Sequence, residues 1–290
     1  ATGSGAIGES ARRGRGLPAH IIPMERFHVA AIGLDTLLGA VAYGAHQVFI
    51  LASLEERSEY ADSINATMQL GETILHALGY AGRHFALLPA EDGAAMEAAV
   101  WQSPVAGGLA EAAPFNLSDD KRGNLQFIFD HLSRHAPQPQ QEIALAPGAP
   151  YGAVRVDKEK CTLCMACVSA CPSAALLDGR DAPALKFIER NCLQCNLCVQ
   201  TCPEEALSLL PRLSLAAEAR KEVQLHAAEP CHCLRCAKAF GTQQMVDAML
   251  KRLASHSMFS GEAALRRLQM CPDCRVMDMM EKDPAMLVPR

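Results

Sequence analysis

Two cysteine phrases carry the chemistry of this chain: Cys161-x-x-Cys164-x-x-Cys167-x-x-x-Cys171-Pro172 and Cys192-x-x-Cys195-x-x-Cys198-x-x-x-Cys202-Pro203. That spacing is the run that holds cubane [4Fe–4S] centres. Three thiolates spaced by two residues wrap one corner of a cube from a single tight loop. The fourth lies past the start of a helix and so reaches a different cube, which makes the two phrases complete each other. Zinc would use only pairs of these thiolates and leave the third of each phrase idle.

A second set of cysteines follows, Cys231-x-Cys233-x-x-Cys236 and Cys271-Pro272-Asp273-Cys274. Cys233, Cys236, Cys271 and Cys274 read as the two knuckles of a zinc ribbon, a closed tetrahedron of sulfurs with one structural Zn²⁺. Cys231 and His232 are extra potential ligands. A third iron–sulfur centre using Cys231, or a set of reduced thiols, are the alternatives. The N-terminal half offers no such signal. His20, His28, His46, His76, His84, His131 and His135 are scattered, and a polar helix end accounts for the i, i+4 pair His131 and His135. There is no glycine-rich phosphate loop. Asp35 reads as a helix cap, or else as part of a small-molecule cleft. The sequence shows no catalytic constellation, so the chain is not expected to be an enzyme alone.

The elements that must position these residues follow from the rest of the sequence. A length of 290 residues suggests about two domains, and half of the chain is apolar. The net charge of −5 gives no field for nucleic acid or anionic membrane. All thirteen cysteines lie from Cys161 onward in metal-type spacings, which implies a reducing, cytoplasmic compartment rather than disulfides. The longest apolar stretch, 29–53, is broken by Asp35, His46 and glycines and falls short of a membrane span. Arg12-Arg13 lacks the apolar region of a twin-arginine signal and reads as a basic helix end. The closing 287–290, Leu-Val-Pro-Arg, reads as an expression remnant.

Strands are expected at 19–24, 47–52 and 84–88, and helices at 34–43, 58–78 and 91–101. Alternation of this kind implies a parallel sheet with helices on its faces. A Gly/Pro/Ala linker at 103–114 precedes a helix over 117–135 capped by Ser118 or Asp119, and 136–150 reads as a stiff, Pro-rich connector. An internal repeat runs through 152–210, in which 160–176 aligns with 191–207 at a constant offset. Each half is expected to be a strand, a cluster loop and a short helix. Helices at 242–254 and 261–270 separate the tail cysteine pairs. The expected domains are therefore 1–115, 116–150, 151–212 and 213–290.

With its two phrases, 152–210 resembles a bacterial di-[4Fe–4S] ferredoxin domain. In such domains the fourth cysteine serves the other cube. The resemblance thus implies Cys161, Cys164, Cys167 and Cys202 for one cluster, and Cys192, Cys195, Cys198 and Cys171 for the other. Leu37-Leu38-x-Ala40, the run Tyr43–Val48 and the helix ending in Leu78-Gly79-Tyr80 resemble the delta subunit of methyl-viologen-reducing hydrogenases, a flavodoxin-like domain. That family's cysteines bind a [2Fe–2S] cluster; none precedes Cys161 here, so the resemblance implies a cluster-free docking scaffold. The whole layout resembles the C-terminal half of multi-cluster ferredoxin-like proteins that accompany formate dehydrogenases, with further clusters then expected ahead of Ala1. The fold class expected is α/β, with a flavodoxin-like parallel sheet, an α+β two-cluster domain and a helical, zinc-ribbon-like tail. The implied function is single-electron transfer to or from a redox protein partner, a dehydrogenase or hydrogenase subunit. An assembly or scaffold factor for a redox enzyme is the rival from another class. Nucleic-acid binding is disfavoured by the acidic balance.

Overall fold

The computed structural model describes residues 3–102, 108–179, 182–259 and 261–282. The first part of the linker expected at 103–114 and the closing 287–290 lie outside the described residues. The chain divides into two compact units, Ala1–Leu145 and Ala146–Arg290.

The first unit begins with α1 (Gly3–Arg13), whose last turn carries Arg12 and Arg13. Ser10 Oγ of α1 donates to Glu97 Oε1 of α4 (Gly93–Gln102). No strand forms over 19–24. Pro23 interrupts the run and removes a ladder donor, and Ile22 and Met24 are 83% and 73% exposed rather than buried. Helix α2 (Leu34–Ala42) buries Leu37, Leu38 and Val41 completely. Its N-cap is Gly33, without a side-chain hydrogen bond. Asp35 therefore does not cap the helix but sits in its first turn, where the macrodipole favours an acid.

Strand β1 (Val48–Ala52) pairs in parallel with β2 (Phe85–Pro89), from Val48 opposite Phe85 to Ala52 opposite Pro89. Among the described residues this sheet has two strands. The crossover is α3 (Leu54–Ala77), opened by a capping box in which Ser53 Oγ accepts from the Glu56 amide and Glu56 accepts from the Ser53 amide. Ile74 and Leu75 on its inner face are fully buried. Gly71 lets α3 approach the sheet, since a Cβ there would lie 2.7 Å from the ring of Phe85. Helix α5 (Lys121–Arg134) packs on α2 and is capped by Asp120, not by Ser118 or Asp119. A short strand, β3 (Glu142–Ala144), closes the unit.

The second unit opens with two interleaved halves. The first half runs β4 (Gly152–Val156), a cysteine loop, α6 (Ala166–Ser169) and β5 (Leu176–Asp178). The second repeats the order with β6 (Ala184–Phe187), a loop, α7 (Leu197–Thr201) and β7 (Leu207–Ser214). The first strand of each half pairs antiparallel with the last strand of the other, β4 with β7 and β6 with β5. Neither half closes its sheet alone. Val154, Leu176, Leu185, Phe187 and Leu207 form one apolar cluster with Cys167, Cys192 and Cys198. Strand β8 (Val223–Ala227) extends the β5–β6 sheet.

The tail consists of the antiparallel pair β9 (Pro230–His232) and β10 (Ala239–Thr242), then α8 (Gln243–Leu253), α9 (Glu262–Arg267) and α10 (Pro272–Lys282). It is fastened to the first cysteine loop: Thr242 Oγ1 donates to the Thr162 carbonyl at 3.0 Å and Gln244 Nε2 to the Glu159 carbonyl at 2.7 Å.

Candidate metal centres

Each cysteine loop turns through the same backbone conformations. Leu163 and Met165 in the first loop have φ of 55° and 60°; Gln194 and Asn196, their counterparts, have 53° and 66°. Ala174 and Glu205, two residues past the matching prolines, have 49° and 50°. Left-handed backbone costs a non-glycine residue about 1 kcal/mol or more. Recurrence at three matched pairs indicates that the curvature is worth that cost. It turns amides toward sulfur. Ala175 N lies 3.3 Å from Cys171 Sγ and Ala206 N lies 3.4 Å from Cys202 Sγ, while the Gln194 amide reaches Cys192 Sγ at 3.5 Å.

The structure gathers the thiols across the two phrases. Cys161, Cys164 and Cys167 line one cleft together with Cys202, walled by Leu163, Leu185 and Leu207 and with Glu204 at its edge. On the other side, Cys192 and Cys198 lie in the field of Cys195 and of Cys171. Cys164 and Cys195, at matching places, are exposed, while Cys167, Cys192 and Cys198 are buried.

Burial, then the charge of neighbouring thiolates, pushes the Cys167 thiol up to about 12 and that of Cys198 up to about 11. Cys161 and Cys192 are raised for the same first reason, although amides of Leu163 and Gln194 work the other way. Burial also opposes ionisation of Cys171, but amides of Leu176, Ser173 and Ala175 with the Ser173 hydroxyl outweigh it and lower that thiol. Four such sulfurs cannot all be anionic by themselves. A centre rich in iron supplies the compensating positive charge, so the donor set fits a metal cluster.

The tail holds a separate group. The sulfurs of Cys233, Cys236, Cys271 and Cys274 all lie within 4.8 Å of one another, and those of Cys236 and Cys271 are 3.8 Å apart. Cys233 and Cys236 sit in the turn between β9 and β10, which Ala237 closes with φ of 58°. Cys271-Pro-Asp-Cys274 is not a second hairpin; it opens helix α10, with Pro272 at the first helical position. Burial opposes ionisation of Cys233, but amides of Cys271, Cys236 and Arg235 outweigh it and lower its pKa. Cys274 is raised, first by its contact with Cys236. Cys231 is buried on β9 and lies outside the four-sulfur group.

One cluster escaped the sequence reading. Glu72, His76 and His84 bring donor atoms within 4.8 Å of one another. Glu72 and His76 are one helical turn apart on α3, a spacing visible in the sequence; His84 joins them only through the return to β2. Glu72 accepts from the His84 and Phe85 amides at 2.7 and 2.9 Å and contacts His84 Nδ1 at 2.9 Å, and His76 Nε2 lies 2.7 Å from the Gly82 carbonyl. These bonds tie α3 to the start of β2.

Residues 153–203 match the family of 4Fe–4S dicluster domains. This part of the chain is a ferredoxin-type domain. The match takes in both cysteine phrases, and with them it indicates iron–sulfur electron transfer. No curated protein matches the chain. Among the described residues no helix is long and apolar enough to cross a membrane.

Proposed function

We propose that the ferredoxin-type domain holds two [4Fe–4S] clusters, one on Cys161, Cys164, Cys167 and Cys202 and the other on Cys192, Cys195, Cys198 and Cys171. The chain then passes single electrons to or from a soluble oxidoreductase such as a formate dehydrogenase, in the cytoplasm. The observation that carries the reading is the presence of Cys202 in the cleft of Cys161, Cys164 and Cys167, although the chain places it next to another phrase. Bound clusters of this type each take up and release one electron. The chain's own residues hold the sulfurs, direct amides at them and exclude water with Leu163, Leu185 and Leu207. Cys233, Cys236, Cys271 and Cys274 would bind one structural Zn²⁺, and the first unit, a flavodoxin-like domain in this reading, would serve as a docking scaffold.

Anaerobically reconstituted protein is expected to carry about eight iron and about eight acid-labile sulfide per chain. Its reduced form should give low-temperature paramagnetic resonance spectra of interacting cubanes, and a partner dehydrogenase with its substrate should reduce it rapidly. Iron near half that amount would overturn the ligand sets. Full iron without electron exchange with any dehydrogenase or hydrogenase would favour a scaffold role.

A further inference from the structure

The cysteines and prolines of the two phrases match position for position, so unlike residues at matching places set the two sites apart. Two such places touch sulfur. Leu163 and Gln194 share a left-handed backbone, and each directs its amide at the first cysteine of its phrase. Leu163 adds only hydrocarbon to the first cleft. Gln194 adds a second donor, with Nε2 lying 3.4 Å from Cys192 Sγ and 3.1 Å from the Ala153 carbonyl. Both partners are acceptors, so the amide NH₂ rather than its oxygen must face them. Gly152 makes room for this, because a Cβ there would lie 2.5 Å from the Gln194 amide carbon.

The second place follows each proline. Ser173 Oγ lies 3.7 Å from Cys171 Sγ. Its counterpart, Glu204, borders the first cleft with a carboxylate and is paired with Arg252 of α8.

A reduced cluster carries one more negative charge. Donors aimed at its sulfurs stabilise that charge, and a nearby carboxylate opposes it. Both differences therefore act in the same direction. Arg252 offsets Glu204, yet complete neutralisation of Glu204 would still leave the first site with no counterpart to the Gln194 and Ser173 donors. Cys192 is more buried than Cys161, which alone would work the other way. The polar Gln194 amide lies against that sulfur and turns part of its burial into hydrogen bonding.

We infer that Gln194 and Ser173 make the site of Cys171, Cys192, Cys195 and Cys198 the more readily reduced of the two, so that the first electron entering the domain rests there. The inference rests on the proposed reading of two clusters with crossed ligands. It gives the domain a direction: electrons run from the Glu204 side to the Gln194 side.

The test is a potentiometric titration of the anaerobically reconstituted full chain, followed by paramagnetic resonance, with iron and sulfide measured on each preparation. The wild type is expected to titrate in two resolved one-electron waves. Gln194→Leu, which copies the first loop, should shift the upper wave to more negative potential and leave the lower one nearly in place. Ser173→Ala should shift the same wave less, and Leu163→Gln should move the lower wave upward. Full iron content with both waves unmoved by Gln194→Leu and Ser173→Ala, or with the lower wave moved instead, overturns this inference alone. A wild type without cubane spectra overturns the cluster reading and this inference with it.

Discussion

Cys171 and Cys202 each sit four residues beyond their phrase's third cysteine, separated from it by the turns of α6 and α7. If the ligand sets cross as proposed, removing one of them damages the cluster of the other phrase. Cys202→Ser is therefore expected to convert or lose the cluster of Cys161, Cys164 and Cys167, while the partner site keeps its potential; Cys171→Ser should do the reverse. Mixing either change with Gln194→Leu identifies the surviving signal, because only the site of Cys192 responds to that amide. Loss of the Gln194-responsive signal from Cys202→Ser, and of the other signal from Cys171→Ser, would show that the fourth thiols do not cross. The types and spacing of these cysteines were legible in the sequence because a cube's corner tolerates few loop lengths. The left-handed backbone at Leu163, Met165 and Ala174 was not, since leucine, methionine and alanine give no sign of such a conformation.

Periodicity located β1, β2, α2 and α4 to within a few residues, because their apolar faces are the ones buried. It misplaced the start of α3, although Ser53-x-x-Glu56 spells a capping box in the sequence. It also invented a strand at 19–24, where an apolar run has no neighbour to pair with and Pro23 stands just before its end. Tyr80 shows a long-range link that no local pattern reveals. Its hydroxyl donates to the Leu132 carbonyl at 2.9 Å, in the last turn of α5 where carbonyls run out of helical donors. Tyr80→Phe is expected to cost about 1–3 kcal/mol at neutral pH by leaving that buried carbonyl unpaired, measured as a lower denaturant midpoint by circular dichroism. Burial raises the Tyr80 phenol from 10 to about 12, so the fold holds its proton more tightly than the unfolded chain does. The resulting stability is complete below pH 10 and is lost as the pH rises from 10 toward 12. The gap between wild type and Tyr80→Phe should therefore shrink across that window; a constant gap would mean that the phenol is not protected by the fold.

The tail was the hardest part to foresee, because its two cysteine pairs are separated by α8 and α9 and meet only in three dimensions. Around the sulfurs, Cys233, Met270 and Cys271 are buried, with Phe240 and Cys274 packed against them. A bound ion would add its own free energy to the packing of this small cluster. The same segment contacts the first cysteine loop through Thr242 and Gln244 and pairs Arg252 with Glu204. A Cys271→Ser variant should therefore separate two roles. It is expected to keep about eight iron per chain, lose bound zinc, and become open to protease between β9 and α10, read by limited digestion with mass spectrometry. Released from the first loop, Arg252 would no longer offset Glu204, and the lower-potential wave should move further down while the wave tuned by Gln194 stays in place. A tail that resists protease equally in both proteins would show that packing, not metal, holds it. A fall in iron on loss of zinc would instead make the tail part of the cluster sites themselves.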